Sequence, residues 1–168
     1  MGQVIHEFTP VFNNESRVLM LGTIPSPKSR EQGFYYGHPR NRFWKILSQV
    51  FESPVPLTIE EKKIFLLQHN VAVWDVLQSC DIDGASDASI KNPIPNDMNI
   101  ILQKARIKAV FTTGSKATAL YRKYCEPAGH IPCIGLPSTS PANCRMSDNA
   151  LKQEYKQILR YIQGGDLQ

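Results

Sequence analysis

Val18-Leu19-Met20-Leu21-Gly22-Thr23-Ile24-Pro25-Ser26 begins with four apolar residues in a row and breaks into glycine, proline and hydroxyl side chains. A continuous apolar run, rather than an alternating one, suits a strand covered on both faces of its sheet. Three more runs share the pattern: Val71 to Trp74, Ala109 to Phe111 and Ile131 to Ile134. Helical spacing separates them. Phe43, Trp44, Ile46, Leu47, Val50 and Phe51 mark one face of a helix over Asn41 to Phe51. Thr58 followed by Glu61 reads as a capping box that opens a helix toward His69. Met98, Ile101, Leu102 and Ala105 mark a third helix, and Ser115 caps a fourth running to Tyr124. A last helix follows Ser147, with Leu151, Tyr155, Ile158, Leu159 and Ile162 as its stripe and Gly164 as its stop.

Strands alternating with helices give an α/β domain, a three-layer α/β/α sandwich around a four-stranded parallel central sheet. One such domain over residues 1–168 is expected. Right-handed crossovers place the four strand ends on one edge, where ligands of such sheets bind.

Composition narrows the class. Hydrophobic residues make up 42% and charged residues 20%, and no apolar run reaches the roughly 20 residues of a membrane span. The opening MGQVIHEFTP has no secretory pattern, so a cytoplasmic protein is expected. A net charge of +4 permits a polyanionic partner without requiring one. Cys80, Cys125, Cys133 and Cys144 form no C-x-x-C pair, and His6, His38, His69 and His130 have no H-x-x-x-H spacing. No metal, iron–sulfur cluster or other cofactor is expected, and the chain reads as a monomer.

The strand ends hold the chemistry. Gly22 to Ser29 is neither a dinucleotide nor a Walker loop. It continues into Gly33-Phe34-Tyr35-Tyr36-Gly37-His38, three adjacent aromatics that read equally as packing or as a base-stacking surface. Arg40 and Arg42 follow, able to meet phosphates. The fourth strand leads into Pro137-Ser138-Thr139-Ser140-Pro141, a stiff hydroxyl loop suited to gripping a phosphodiester, or an ordinary turn. Asp75 ends the second strand as a cap or a pocket carboxylate, with the cap favoured. Asp83 to Asn92 is a polar segment that could line a groove.

Together these loops resemble the uracil-DNA glycosylase superfamily, over about Val18 to Arg145. Its mismatch-specific and thymine-DNA glycosylase branch has a Gly-x-Asn-Pro-Gly loop followed by His-Pro-x-Asn-Arg-Phe-Trp. His38-Pro39-Arg40-Asn41-Arg42-Phe43-Trp44 fits the second pattern fully, and Leu136 to Ser140 resembles the superfamily's Pro-Ser loop. Ile24 stands where that branch has its catalytic asparagine. The hypoxanthine-DNA glycosylase branch, with an apolar residue in the first loop and its asparagine in the Asn-Arg-Phe-Trp run, is the better match. It carries the catalytic role to Asn41.

The resemblance implies a monofunctional DNA glycosylase of base excision repair, acting on hypoxanthine foremost and on uracil as the other candidate. The expected partner is DNA containing a deaminated base. The expected base pocket is Gly22, Thr23, Ile24, Pro25, Ser26, Tyr36, Gly37, His38 and Phe43, with Tyr36 stacking on the flipped base and Phe34 and Tyr35 supporting it. Expected DNA contacts are Arg40, Arg42, Ser86, Ser89, Lys91, Pro137, Ser138, Thr139, Ser140, Asn143 and Arg145, with Lys28 a further candidate. Asn143 and Ala142 are the expected wedge. Two rival readings use the same loops: a DNA-binding relative without catalysis, and a small-molecule hydrolase for a nucleoside or sugar phosphate.

Overall fold

The computed structural model describes residues 2–126 and 131–162. Its centre is a parallel sheet in the order β3-β2-β6-β7, formed by β2 (Val18–Gly22), β3 (Val71–Asp75), β6 (Ala109–Thr113) and β7 (Cys133–Leu136). Every residue of β2, β3 and β6 is buried, which is why their sequences run apolar without alternation. β7 lies at the edge and is only partly covered. It begins two residues later than the apolar run suggests, because Ile131 and Pro132 approach the sheet as coil. The register pairs Gly22 with Asp75, Leu21 with Thr112, and Thr113 with Leu136. All four strands therefore end on one edge.

The helices are α1 (Pro27–Gln32), α2 (Phe43–Val50), α3 (Ile59–Gln68), α4 (Asn99–Leu102), α5 (Ser115–Tyr124), α6 (Asp148–Tyr155) and α7 (Gln157–Ile162). They flank the parallel sheet as expected of an α/β fold: α3 packs on β3, α5 on β6 and β7, and α7 on β2. The capping box at Thr58 and Glu61 is present in both directions. Three helix expectations need correction. Ser115 does not cap α5; Gly114, at φ 99°, occupies that place. The C-terminal helix is two helices, because Leu159 N–H bonds three residues back to Lys156 and tightens the turn between them. Gly164 lies outside the described residues. Finally, α1 sits inside what reads as one long loop, opened by the Ser26 cap and Pro27 and closed by Gly33 at φ 80°.

A second sheet went unread in the sequence. β1 (Gly2–Ile5), β4 (Leu77–Asp83) and β5 (Ser86–Pro95) form an antiparallel sheet in the order β1-β4-β5. The polar segment from Asp83 to Asn92 is the tip and most of the second strand of the β4–β5 hairpin, whose pairing has three register shifts. Those shifts and the exposure of β5 erase the period-two pattern that marks a strand.

The aromatic stretch is mostly core. Phe34 and Tyr35 are buried, Phe34 stacks on Trp44, and the Trp44 indole N–H donates to the Tyr35 carbonyl at 3.1 Å. The hydroxyl-rich loop after β7 is moored from below: the buried Tyr155 hydroxyl donates to the Pro137 carbonyl at 2.6 Å. Tyr155→Phe strands that carbonyl and should lower stability by roughly 1–2 kcal/mol in urea unfolding. An unchanged midpoint would show that the loop is held by other means.

Candidate functional site

A cavity of about 330 Å³ opens at the edge where the strands end. Its walls come from every segment placed there by the parallel register: Gly22 to Ser26, Tyr35 and Tyr36, Asp75, Thr113, and Ser138 to Ala142, with Gly84, Ala85 and Asp87 from the hairpin tip. The expected pocket residues Gly22, Thr23, Ile24, Pro25, Ser26, Tyr36 and His38 line it, as does the expected catalytic residue Asn41. Gly37 faces instead a shallower neighbouring groove that shares Tyr36, His38 and Asn41 with the cavity. Phe43 lines neither; it is fully buried behind Tyr36, the rings stacked at 3.8 Å and 8°.

That stack changes the reading of Tyr36. One face of its ring is taken by Phe43, so a ligand can meet only the other face and the edge. Its backbone sits at φ 54°, a region an L residue occupies only when its surroundings hold it there. The stack on one side and the hydroxyl on the other do so. Burial, and then the nearby Asp75 charge, push the Tyr36 phenol well above its ordinary pKa. It stays protonated. Since Thr113 Oγ1 donates to the Leu21 carbonyl at 3.3 Å, the Tyr36 hydroxyl donates to Thr113 Oγ1 at 3.2 Å.

Asn41 is oriented without ambiguity. Its Oδ1 accepts from the Phe43 N–H at 2.9 Å and from the Thr139 hydroxyl at 2.8 Å. A backbone N–H can only donate, so the amide cannot be turned round. The Nδ2 group has no partner among the described residues, and Asn41 lines both the cavity and the neighbouring groove. Thr139 is 1% exposed, its hydroxyl turned inward to Asn41 rather than outward to solvent.

Two expected DNA contacts are otherwise engaged. The Arg42 guanidinium donates to the carbonyls of Met146 and Asn143, each at 2.7 Å, and to Asp148 at 3.2 Å. Asn143 cannot serve as a wedge as it stands, because its Nδ2 donates to the Ser138 carbonyl at 2.8 Å. These bonds close the 138–148 loop on itself and bind it to the start of α2. Lys45, at 2.6 Å, and Arg42 hold the Asp148 carboxyl below the usual range.

Arg40, Ala142 and Arg145 are exposed; Arg40 lines the neighbouring groove and Ala142 lies at the cavity mouth. Ser138 and Ser140 line the mouth, whereas Pro137 faces a separate depression beside α5. Ser86 and Lys91 stand exposed on β5 outside the cavity and Ser89 is half-buried there; the Ser89 hydroxyl braces the hairpin by bonding Ser86 and Asp83. Lys28 is half exposed beside Glu31.

The largest correction concerns Asp75. It caps nothing. It is 4% exposed, lines the cavity, and accepts a hydrogen bond from His6 Nε2 at 2.9 Å. Its sequence signal is an acidic residue directly ending an apolar strand run; its register with Gly22 appears only in the sheet. His6 gave none, because its partner lies 69 residues away. Lys45 and Lys62, on the shallow groove, were also missed, since each falls on a polar helix face and reads as solvated surface.

The Arg42 clamp makes a prediction of its own. Arg42→Ala should cost roughly 2–3 kcal/mol in chemical denaturation, because it strips two carbonyls of a charged donor. Stability within a few tenths of the parent, with DNA affinity lost instead, would restore Arg42 as a phosphate contact.

Comparison with known proteins agrees with this geometry. The family described as the Uracil DNA glycosylase superfamily matches residues 9–163. A hypoxanthine DNA glycosylase of Methanosarcina acetivorans is 29% identical over 156 residues, covering 92% of this chain and 97% of the relative. One from Methanosarcina barkeri is 30% identical over 140 residues, covering 82% and 87%. The solution NMR structure of a candidate uracil DNA glycosylase from Methanosarcina acetivorans superposes with a TM-score of 0.77 at 26% identity, covering 94% of this chain and 97% of that one. With the match spanning nearly its whole length, the chain belongs to the uracil DNA glycosylase superfamily.

Proposed function

We propose that this protein hydrolyses the N-glycosidic bond of a deaminated base in DNA, hypoxanthine foremost, leaving an abasic site. The observation that carries the reading is the fixed amide of Asn41, held through its oxygen so that its Nδ2 donors stay unspent, in the lining of a cavity walled by an aromatic ring and the strand-end loops. The two Methanosarcina relatives named for hypoxanthine support that choice of base.

The cavity cannot reach a base inside a duplex, so the nucleotide has to swing out, at a cost of a few kcal/mol. The base then slides in beside Tyr36, while the sugar and phosphate stay at the mouth among Ser138, Ser140 and Ala142. Arg40, Lys45 and Lys62 give the adjoining groove a cationic wall for the strand. Arg145, Ser86, Ser89 and Lys91 are candidates for more distant phosphates.

Glycosidic cleavage passes through an oxocarbenium-like state in which the departing base takes up negative charge. An amide neither gains nor loses a proton at neutral pH, so Asn41 is not a general base. With its oxygen already committed, it cannot accept a proton from an attacking water either. What it can do is donate Nδ2–H bonds to the acceptor edge of the leaving base. A donor fixed before the reaction is worth about 10²–10³ in rate where charge develops. Ile24, in place of the asparagine of the mismatch-specific branch, contributes only apolar wall.

Alkali-developed single-turnover cleavage of a deoxyinosine oligonucleotide tests this reading. Asn41→Ala should lose about 10²–10³-fold in rate with little change in DNA affinity. Asn41→Asp should be no better, since it turns a negative oxygen toward developing negative charge. Thr139→Val should slow cleavage and Thr139→Ser should restore it. Equal loss of rate and affinity in Asn41→Ala would assign Asn41 a structural role.

A further inference from the structure

We infer that the shallow groove beside the cavity seats the nucleotide next to the excised one with its base unpaired, which makes single-stranded DNA the preferred substrate. This rests on the glycosylase reading above and specifies the form of DNA that the site takes.

The groove runs on from the cavity, sharing Tyr36, His38 and Asn41 with it. A strand whose base enters the cavity therefore has its neighbouring nucleotide at the groove. At about 580 Å³ against about 330 Å³, the groove has room for a nucleotide where the cavity has room for a base. Among the described residues its lining holds Arg40, Arg42, Lys45 and Lys62 and no carboxylate. Arg42 and Lys45 are tied to Asp148, but Arg40 and Lys62 have no ion pair among the described residues. The Lys62 ammonium stands 5.3 Å from the centre of the Trp44 ring, which holds its charge in the groove. The nearby Glu61 carboxylate is spent on the Leu57 and Thr58 N–H groups at the start of α3.

Charge alone would suit any stretch of DNA. The groove also has an apolar lip, with Val55 43% exposed and Leu57 77% exposed on either side of buried Pro56. In a duplex the faces of each base are covered by its stacked neighbours, so a protein meets only edges, sugars and phosphates. An unpaired strand offers a base face to such a lip and leaves its phosphate for Lys62 or Arg40.

The loop at the cavity mouth points the same way. Proteins that open a duplex frequently insert a large apolar side chain where the stack is broken. Between Ser138 and Asp148 the exposed side chains are Ala142, Cys144, Arg145 and Ser147, and Asn143 is bonded to Ser138. None of these is a large apolar group. A base in a single strand needs no such filler, because there is no partner strand to unpair.

Single-turnover cleavage of one deoxyinosine oligonucleotide, alone and annealed to its complement, tests the preference. The single strand should react at least about tenfold faster, since pairing adds to the cost of flipping. Anisotropy binding of the same strand tests the groove. A tetrahydrofuran spacer in place of the neighbouring nucleotide keeps the phosphates and removes the base. It should weaken binding about fivefold or more on one side of the deoxyinosine and not on the other. Leu57→Ser, at an exposed position, should weaken binding of the intact strand as much and that of the spacer strand no further. Lys62→Ala should make the salt dependence shallower by about 0.7 in slope. A duplex cleaved as fast as the single strand, or binding untouched by Leu57→Ser and by a spacer on either side, overturns the inference while leaving the glycosylase reading intact. No cleavage of any strand by the unaltered protein overturns that reading and this inference with it.

Discussion

The parallel pairing of β2 with β3 on one side and β6 on the other is the constraint on which the rest of the molecule depends. Both faces of these strands are buried, so their register is fixed by packing as well as by hydrogen bonds. That register brings Gly22, Asp75 and Thr113 side by side at one edge. Nothing in the three chain segments requires them to meet; the sheet does. Once they meet, the missing side chain of Gly22 becomes the space that Asp75 occupies, and Thr113 becomes the anchor for the Tyr36 hydroxyl.

The loops above that edge are held by bonds that look, in isolation, like binding chemistry. Arg42 fastens the 138–148 loop through two carbonyls, Tyr155 fastens Pro137, and Asn143 closes back on Ser138. Thr139 points inward to Asn41. The consequence is a cavity with stiff walls, into whose lining the Asn41 amide is locked through its oxygen and the Asp75 carboxylate through its bond from His6.

Much of this was legible in the sequence, and the failures have physical causes. The buried central strands announced themselves because strands covered on both faces run continuously apolar, and the Thr58–Glu61 capping box because its two bonds are local. The Asn-Arg-Phe-Trp run identified Asn41, but could not show which end of its amide is free, since Thr139 is 98 residues distant. Arg42 and Asn143 read as DNA contacts because an arginine and an asparagine in a loop look alike whether they bind phosphate or backbone. The antiparallel sheet escaped notice because β5 is mostly exposed and irregularly paired, leaving its residues no hydrophobic period to display. Asp75 reads as a cap ahead of a pocket carboxylate because a strand-ending aspartate commonly caps; only the register with Gly22 reveals where its carboxylate stands.

The central claim is that this cavity releases a deaminated base from DNA. Incubation of the protein with a deoxyinosine-containing oligonucleotide, followed by mass spectrometry of the small molecules and of the strand, tests it most directly. The account predicts free hypoxanthine and an unbroken strand lighter by the mass of hypoxanthine less that of the water added, with scission appearing only after alkali. A strand of unchanged mass with no free base, at protein in excess over DNA, would contradict it.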